Sequence, residues 1–262
     1  MQRFNRGWFW VSLPIIFGFL LFYIVPFGYS IYYSVIDSAV TKRYIGLENY
    51  KSVLQNRFFN IAIKNTLAFL LTDVPVLLLL SLTLALFVFS SKIKNGIFQA
   101  ALIMPILLPS AAITPIFEKI SVYTNSQLSV HMLYVWKYLG LFMLIFLSAR
   151  KAISTEYYDA AALDGANAVD MFKKITLPLI LPTIGFAAII GVVFNLRIFK
   201  EVYLMNGAYP DESVYLTQHY MNNQFNKLNY PLLTASGLVF ALFLISLTAV
   251  VFVIVRRRRA NE

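Results

Sequence analysis

Residues 157–182 read YYDAAALDGANAVDMFKKITLPLILP and lie between two of the most apolar segments of the chain. Ser154 or Thr155 is placed to cap a helix starting near Glu156 and running through Asp159, Ala160, Ala161 and Ala162, until Gly165 offers a left-handed exit. Asn167 then caps a second short helix, with Asp170 as an acidic capping-box partner and Lys173 and Lys174 at its far end, where cations suit the helix dipole. The stretch is therefore two short helices joined by a bend. Its alanines present backbone closely and cost no side-chain entropy on ordering, which suits a surface that slots into a groove. Tyr157, Met171 and Phe172 supply the bulky groups that anchor interfaces. The alternative, a loop helix resting on its own domain, is equally compatible with these residues.

The surroundings fix the class. The chain of 262 residues is 59% apolar and 13% charged and contains no cysteine. A soluble domain of this size is not so apolar. A helix needs about 20 apolar residues to cross a hydrocarbon core, and six runs meet that length, near residues 8–35, 66–89, 97–117, 130–149, 177–196 and 232–255. The expectation is an all-α membrane protein, one transmembrane domain over 1–262, with loop 150–176 on the cytoplasmic side. Arg3 and Arg6 precede the first run as in a secretory leader, but the run is too long for one and no small-x-small site follows, so it is read as a membrane helix.

The net charge of +10 has a topological explanation that removes nucleic acid as a partner. With the amino terminus inside, Lys and Arg cluster in short segments on that side: Arg3 and Arg6, Lys92 and Lys94, residues 150–174, and Arg256 to Arg259. The opposite side carries fewer, spread over longer segments, so both termini are expected in the cytoplasm. Absence of cysteine removes thiolate and disulfide chemistry, and His131 and His219 lie too far apart in sequence for a metal pair and read as polar residues near a membrane surface. No Walker loop, paired carboxylates or Ser/His/Asp set is present, so no enzyme is expected.

Charges at the spans need separate weighing. Asp73, Lys137 and Arg197 fall within or at the ends of apolar runs, where a charge at mid-bilayer costs about 2.5–3.5 kcal/mol on insertion scales. Lys137 and Arg197 either reach the outer headgroups or line a pathway; Asp73 reads as a helix-packing partner or a near-surface group. Prolines at 14, 26, 75, 105, 109 and 115 break backbone bonding in the first three spans, which kinked helices around a cavity tolerate. Pro178 and Pro182 mark entry into the fifth span.

The string Asp159-Ala160-Ala161, three residues, Gly165, nine residues, then Ile175-x-Leu177-Pro178 resembles the EAA motif of the membrane subunits of ATP-binding-cassette importers, with Asp164-Gly165-Ala166 and Phe172 fitting alongside. Asp159 stands where glutamate is usual, keeping the carboxylate one methylene shorter. The resemblance covers nearly the whole chain and is narrowest to the carbohydrate branch, similar to maltose and glycerol-phosphate permeases. Ile45-Gly46-Leu47-Glu48-Asn49-Tyr50 resembles the element after the first span, where a turn leads into a short surface helix, and residues 98–109 resemble the third span. Trp136-Lys137-Tyr138-Leu139-Gly140 resembles the entry to the fourth span. Residues 199–210, FKEVYLMNGAYP, resemble the stretch after the fifth, although Asn206 replaces a threonine and Ala208-Tyr209 two glycines. Residues 118–129 are short, so the large external insert of some maltose permeases is missing.

The resemblance implies a type I importer permease with six spans in a bacterial cytoplasmic membrane, and it implies the partners. These are a second permease, two ATPase subunits carrying ATP and Mg, and an external solute-binding protein; the chain itself binds no cofactor. Tyr157, Asp159, Ala160, Ala161, Asp164, Gly165, Ala166, Met171 and Phe172 would form the coupling surface. Trp136, Lys137, Tyr138, Phe194, Asn195 and Arg197 would line the sugar pathway, aromatic rings stacking on sugar faces and amide or guanidinium groups binding hydroxyls or carboxylates. Lys137 and Arg197 suggest an acidic sugar such as a uronate or sialic acid. The rivals are a non-sugar solute, an ion-coupled secondary transporter, for which only Asp73 offers a buried ionisable group, and a membrane assembly protein without a pathway.

Overall fold

The structure, a computed structural model, describes residues 6–91, 96–123 and 126–260. Lys92, Lys94 and Arg3, which entered the charge argument, lie outside them, as do the side chains of Arg6 and Arg256 to Arg259. The described residues are helical throughout except for turns and one isolated antiparallel bridge between Ile36 and Tyr44. Five helices are long and apolar enough to cross a membrane, at 12–34, 57–90, 126–151, 168–206 and 230–250, and a bent pair makes a sixth candidate. The chain divides into two units, residues 1–60 with 220–243 and residues 61–219 with 244–262.

In the first unit, α1 (Arg6–Phe19) and α2 (Val25–Ser34) form one rod through a π-turn at Leu20–Ile24. The turn ends two residues before Pro26. A proline cannot donate to the carbonyl four residues back and clashes with it; an i→i−5 turn, here Val25 N–H donating to Leu20 O, opens the helix ahead of the ring without breaking it. Side chains along this rod, among them Ile15, Phe17, Phe22 and Tyr29, are exposed, as lipid contact allows. The element around residues 45–50 then works as a pin. Gly46 takes φ +63°, a conformation that suits glycine, and lets α3 (Glu48–Gln55) fold back. Asn49, buried, donates to Ser34 O (3.0 Å) and Ile36 O (2.7 Å), while Tyr50 Oη meets Ser34 Oγ at 2.8 Å. On the exposed turn between, the hydrogen bond from Thr41 to Asp37 holds the Asp37 carboxyl below the usual range, with Ser38 and Arg43 backbone N–H groups adding to it.

The second unit holds α4 (Arg57–Ser90) from residue 61 onward, α5 (Gly96–Leu107), α6 (Ser110–Tyr123), α7 (Ser126–Lys151) and the elbow α8 (Glu156–Leu163) with α9 (Ala168–Met171). It continues through α10 (Leu177–Arg197), α11 (Phe199–Asn206) and the start of α12 (Thr217–Asn226). Its core is built from Phe69, Leu77, Leu133, Tyr134, Phe142 and Phe146 and their neighbours. Gly140 is what lets α7 approach α5: a Cβ there would stand 1.9 Å from Leu102 O. Small residues at such crossings replace the missing hydrophobic drive between helices in lipid with close packing.

Two expectations are corrected. The third apolar run, 97–117, is not one rod, since α5 and α6 meet at 91°. Pro109 has no N–H and biases Leu108 away from the helical region, so the chain turns there. Pro178 does not mark where the helix of the fifth run begins. The helix arrives from α9 through a second π-turn, Phe172–Thr176, again ending two residues before a proline, with Leu177 N–H donating to Phe172 O. In the fold the proline marks a widened turn rather than an entry point. The last helix, α13 (Tyr230–Ala260), divides between the units.

Candidate functional site

Inside the second unit, polar groups from several helices meet at two levels. At one, Asp73 of α4 is buried and both its oxygens are served: Oδ1 by His131 Nδ1 of α7 and Oδ2 by Asn195 Nδ2 of α10 at 3.1 Å. The His131 ring stacks on Phe69, centroids 4.5 Å apart. Close by, Tyr134 Oη donates to Gly191 O at 2.9 Å, holding α7 to α10. Asp73 is thus the helix-packing partner expected, but His131 is corrected from a surface polar residue to its counterpart. His219 is corrected likewise. It is fully buried, its Nδ1 accepts from Leu216 N–H at 3.1 Å, and Phe199 stands edge-on 4.8 Å away. Burial pushes the His219 pKa down to about 4, so the imidazole is neutral.

At the second level, Lys137 of α7 is buried and its ammonium donates to Glu201 Oε1 of α11. Ser110 Oγ, at the head of α6, donates to the same oxygen at 2.7 Å. Lys137 therefore does not reach for headgroups, since a buried cation needs a partner and Glu201 supplies it. Beside this pair lies a cavity of about 420 Å³ lined by Ile106, Ser110, Lys137, Tyr138, Phe194, Leu196, Arg197, Phe199, Lys200 and Glu201. Its size falls in the range of small-molecule sites. The Tyr138 and Phe194 rings stack at 4.8 Å and 10°, and the Arg197 guanidinium stands 6.0 Å from the Phe194 ring. Arg197 and Lys200 are exposed, and among the described residues neither meets a carboxylate within ion-pair distance.

Of the six residues expected along a pathway, the structure brings Lys137, Tyr138, Phe194 and Arg197 to this cavity. Trp136 is not among its lining; it packs on Phe117 at 5.5 Å, because adjacent helical positions point about 100° apart. Asn195 is turned away too, its amide spent on Asp73. Sequence reasoning missed Glu201, Ser110 and Lys200. The signal available was charge balance: a lysine inside an apolar run requires a carboxylate, and Glu201 is the nearest acid beyond the fifth run.

The elbow is built as its residues dictate. Gly165 takes φ +77° and its N–H donates to Ala162 O at 3.0 Å, while Ala166 N–H donates to Ala161 O at 2.9 Å. Asn167 Oδ1 accepts from Val169 N–H (2.9 Å) and Asp170 N–H (3.0 Å). At the first helix, Ser154 Oγ accepts from Glu156 N–H at 3.3 Å and Thr155 makes no side-chain cap. Asp170 is corrected from a capping-box partner: its carboxylate faces Lys174 Nζ at 3.7 Å, one turn on. Tyr157, Asp159, Ala160, Asp164 and Gly165 are exposed, Ala161 and Ala166 half-exposed. Met171 and Phe172 are half-buried, and the exposed bulky groups beside Tyr157 are Leu163 and Val169. Neither was singled out in the sequence, since an aliphatic residue in an apolar chain carries no signal until its surroundings are known.

Comparison with known proteins gives four findings. A model of the family described as binding-protein-dependent transport system inner membrane component matches residues 77–260. The trehalose/maltose transport system permease protein MalF of Thermococcus litoralis is 25% identical over 274 residues, covering 94% of this chain and 92% of its own. The arabinooligosaccharides transport system permease protein AraP of Bacillus subtilis is 28% identical over 223 residues, covering 74% and 70%. Among solved structures, a chain of a bacterial ABC transporter involved in the import of the acidic polysaccharide alginate shares the fold with a TM-score of 0.80 at 21% identity, over 96% of each chain.

Proposed function

We propose, from the premise that this chain belongs to the family of binding-protein-dependent transport system inner membrane components, that it forms one half of an ATP-driven pathway importing a saccharide, with preference for an acidic one. The chain is a permease subunit of an ABC importer and not an enzyme. The other half of the pathway would come from a second permease. Two cytoplasmic ATPases, holding ATP and Mg, would dock on the elbow 150–176, and an external solute-binding protein would deliver the sugar. Both termini would then lie in the cytoplasm of a bacterial cell.

The observation that carries the substrate reading is the cavity. Glu201 neutralises Lys137, so Lys137 does not supply the free cation first expected of it. Arg197 and Lys200 remain, both exposed at the lining, beside the aromatic surface of Phe194. Guanidinium groups bind carboxylates in bidentate fashion, and sugar faces stack on rings. MalF and AraP are named for neutral sugars and the alginate transporter for an acidic one; the cation pair favours the acidic class here.

The test is uptake by the reconstituted complex of an oligouronate against the corresponding neutral oligosaccharide. Arg197→Gln should lower uptake of the acidic form at least about tenfold, since a charge-assisted hydrogen bond contributes about 1.5–3 kcal/mol, and should leave the neutral form nearly unchanged. Equal loss for both would refute the charge preference. For the coupling role, Gly165→Pro should release the ATPase on purification, because proline can neither adopt φ +77° nor supply the N–H that Ala162 O accepts.

A further inference from the structure

The elbow is tied to three spans by one side-chain assembly that neither the family motif nor the cavity accounts for. Arg150, in the last turn of α7, has its guanidinium carbon 4.0 Å from the ring centre of Phe89 and 4.0 Å from that of Tyr158. Phe89 is the next-to-last residue of α4, and Tyr158 lies in the first turn of α8. The planar cation is thus clamped between the cytoplasmic end of the second span and the elbow, while its own backbone ends the fourth. Tyr158 Oη in turn meets Thr176 Oγ1 at 2.8 Å. Thr176 is buried and belongs to the π-turn leading into α10, the fifth span.

Position and chemistry agree. Arg150 and Tyr158 are half-buried, so the clamp is partly desolvated, and a cation–π contact there is stronger than at an exposed site. A guanidinium is planar and can stack on two rings at once; a lysine ammonium is a compact, strongly hydrated charge that cannot. The cation also sits where the helix dipole of α7 favours it. The exposed elbow residues Tyr157, Leu163 and Val169 are separate from the clamp. The surface offered to a partner and the link to the spans are therefore distinct sets of side chains.

Resting on the reading of the elbow as the ATPase-docking element, we infer that Arg150 is a positioning residue whose stack between Phe89 and Tyr158 passes elbow movement to the second and fourth spans, Tyr158 passing it to the fifth through Thr176. Without the stack the elbow swings on its flanking turns and the spans do not follow. Docking is then kept while transport is uncoupled.

The experiment uses the complete transporter in proteoliposomes, measuring solute taken up per ATP hydrolysed, with ATPase content of the purified complex as a second readout. Arg150→Lys, which keeps the charge and removes the planar stack, and Phe89→Leu, which removes one ring, should each keep the ATPase bound and lower uptake per ATP at least about fivefold. Phe89→Tyr should restore the ratio, and Arg150→Lys with Phe89→Leu should be no worse than either alone. A wild-type ratio in both single variants, or loss of the ATPase from both, would overturn the inference. Gly165→Pro separates the two ideas. If it releases the ATPase while the clamp variants transport normally, only the clamp is refuted; if it leaves docking and coupled uptake intact, the docking reading fails and takes the clamp with it.

Discussion

Gly140→Ala tests a backbone-to-backbone helix approach with a single methyl group. The new Cβ would sit 1.9 Å from Leu102 O, 2.3 Å from Leu102 C and 2.8 Å from Ile103 N. A carbon tolerates a carbonyl oxygen at about 3.3 Å, so α7 and α5 must separate locally by about 1.4 Å. All three atoms are backbone, and no rotamer change can clear them. Overpacking costs about 1–3 kcal/mol when side chains can adjust; here the upper end or more is expected. For a chain of this size each kcal/mol moves the midpoint by about 2–4 °C, so thermal unfolding of the purified complex should fall by about 6–12 °C. Gly191→Ala is the internal control. Its Cβ would meet Val74 Cγ1 at 3.0 Å, a side-chain methyl that can move, and a strained rotamer costs only about 0.5–1.5 kcal/mol. If Gly140→Ala melted no lower than Gly191→Ala, the two helices would not meet backbone to backbone, and the reasoning would fail.

Three further outcomes follow from the same geometry. Lys137→Met leaves Glu201 buried without its cation and should destabilise by about 3–5 kcal/mol, whereas Lys137→Met with Glu201→Leu should recover most of the loss; denaturation of the three variants measures it, and a double variant as weak as the single would refute the pairing. His219, held neutral with a pKa near 4, takes up a proton near pH 6.5 once unfolded. Its contribution is full above pH 6.5 and is lost as pH falls toward 4, at about 1.4 kcal/mol per pH unit. His219→Phe should flatten that part of a melting-temperature profile. Asn167→Ala removes the cap of α9, a change of about 1 kcal/mol, and should speed amide exchange at Val169 and Asp170 while leaving α10 unchanged.

The helical class and the elbow were legible because their determinants are local. Gly165 needs a left-handed residue at one position, Asn167 accepts from N–H groups two and three residues on, and a run of twenty apolar residues needs no partner to be recognised. The bend at Pro109 was half-legible. Proline announces a broken bond but not whether a rod kinks or turns through a right angle, which depends on what packs around it. The π-turns before Pro26 and Pro178 could not be read at all, since they redistribute backbone bonds and leave no trace in residue type. The same limit hid the polar site: Asp73, His131 and Asn195 are separated by 58 and 64 positions, and nothing in the spacing says that α4, α7 and α10 bring them together.

That distance decides how the site's charge should be reckoned. A charge inside an apolar helix is an open demand that folding must meet, and here the protein meets it internally: Asp73 with His131 and Asn195, Lys137 with Glu201 and Ser110. Groups so committed fix helices to one another and have little left for a ligand. Arg197 and Lys200 are not committed in this way: both are exposed, and among the described residues neither meets a carboxylate within ion-pair distance. Both stand at the lining of the cavity beside Phe194, so of the charged groups there they are the ones not already committed to holding one helix against another.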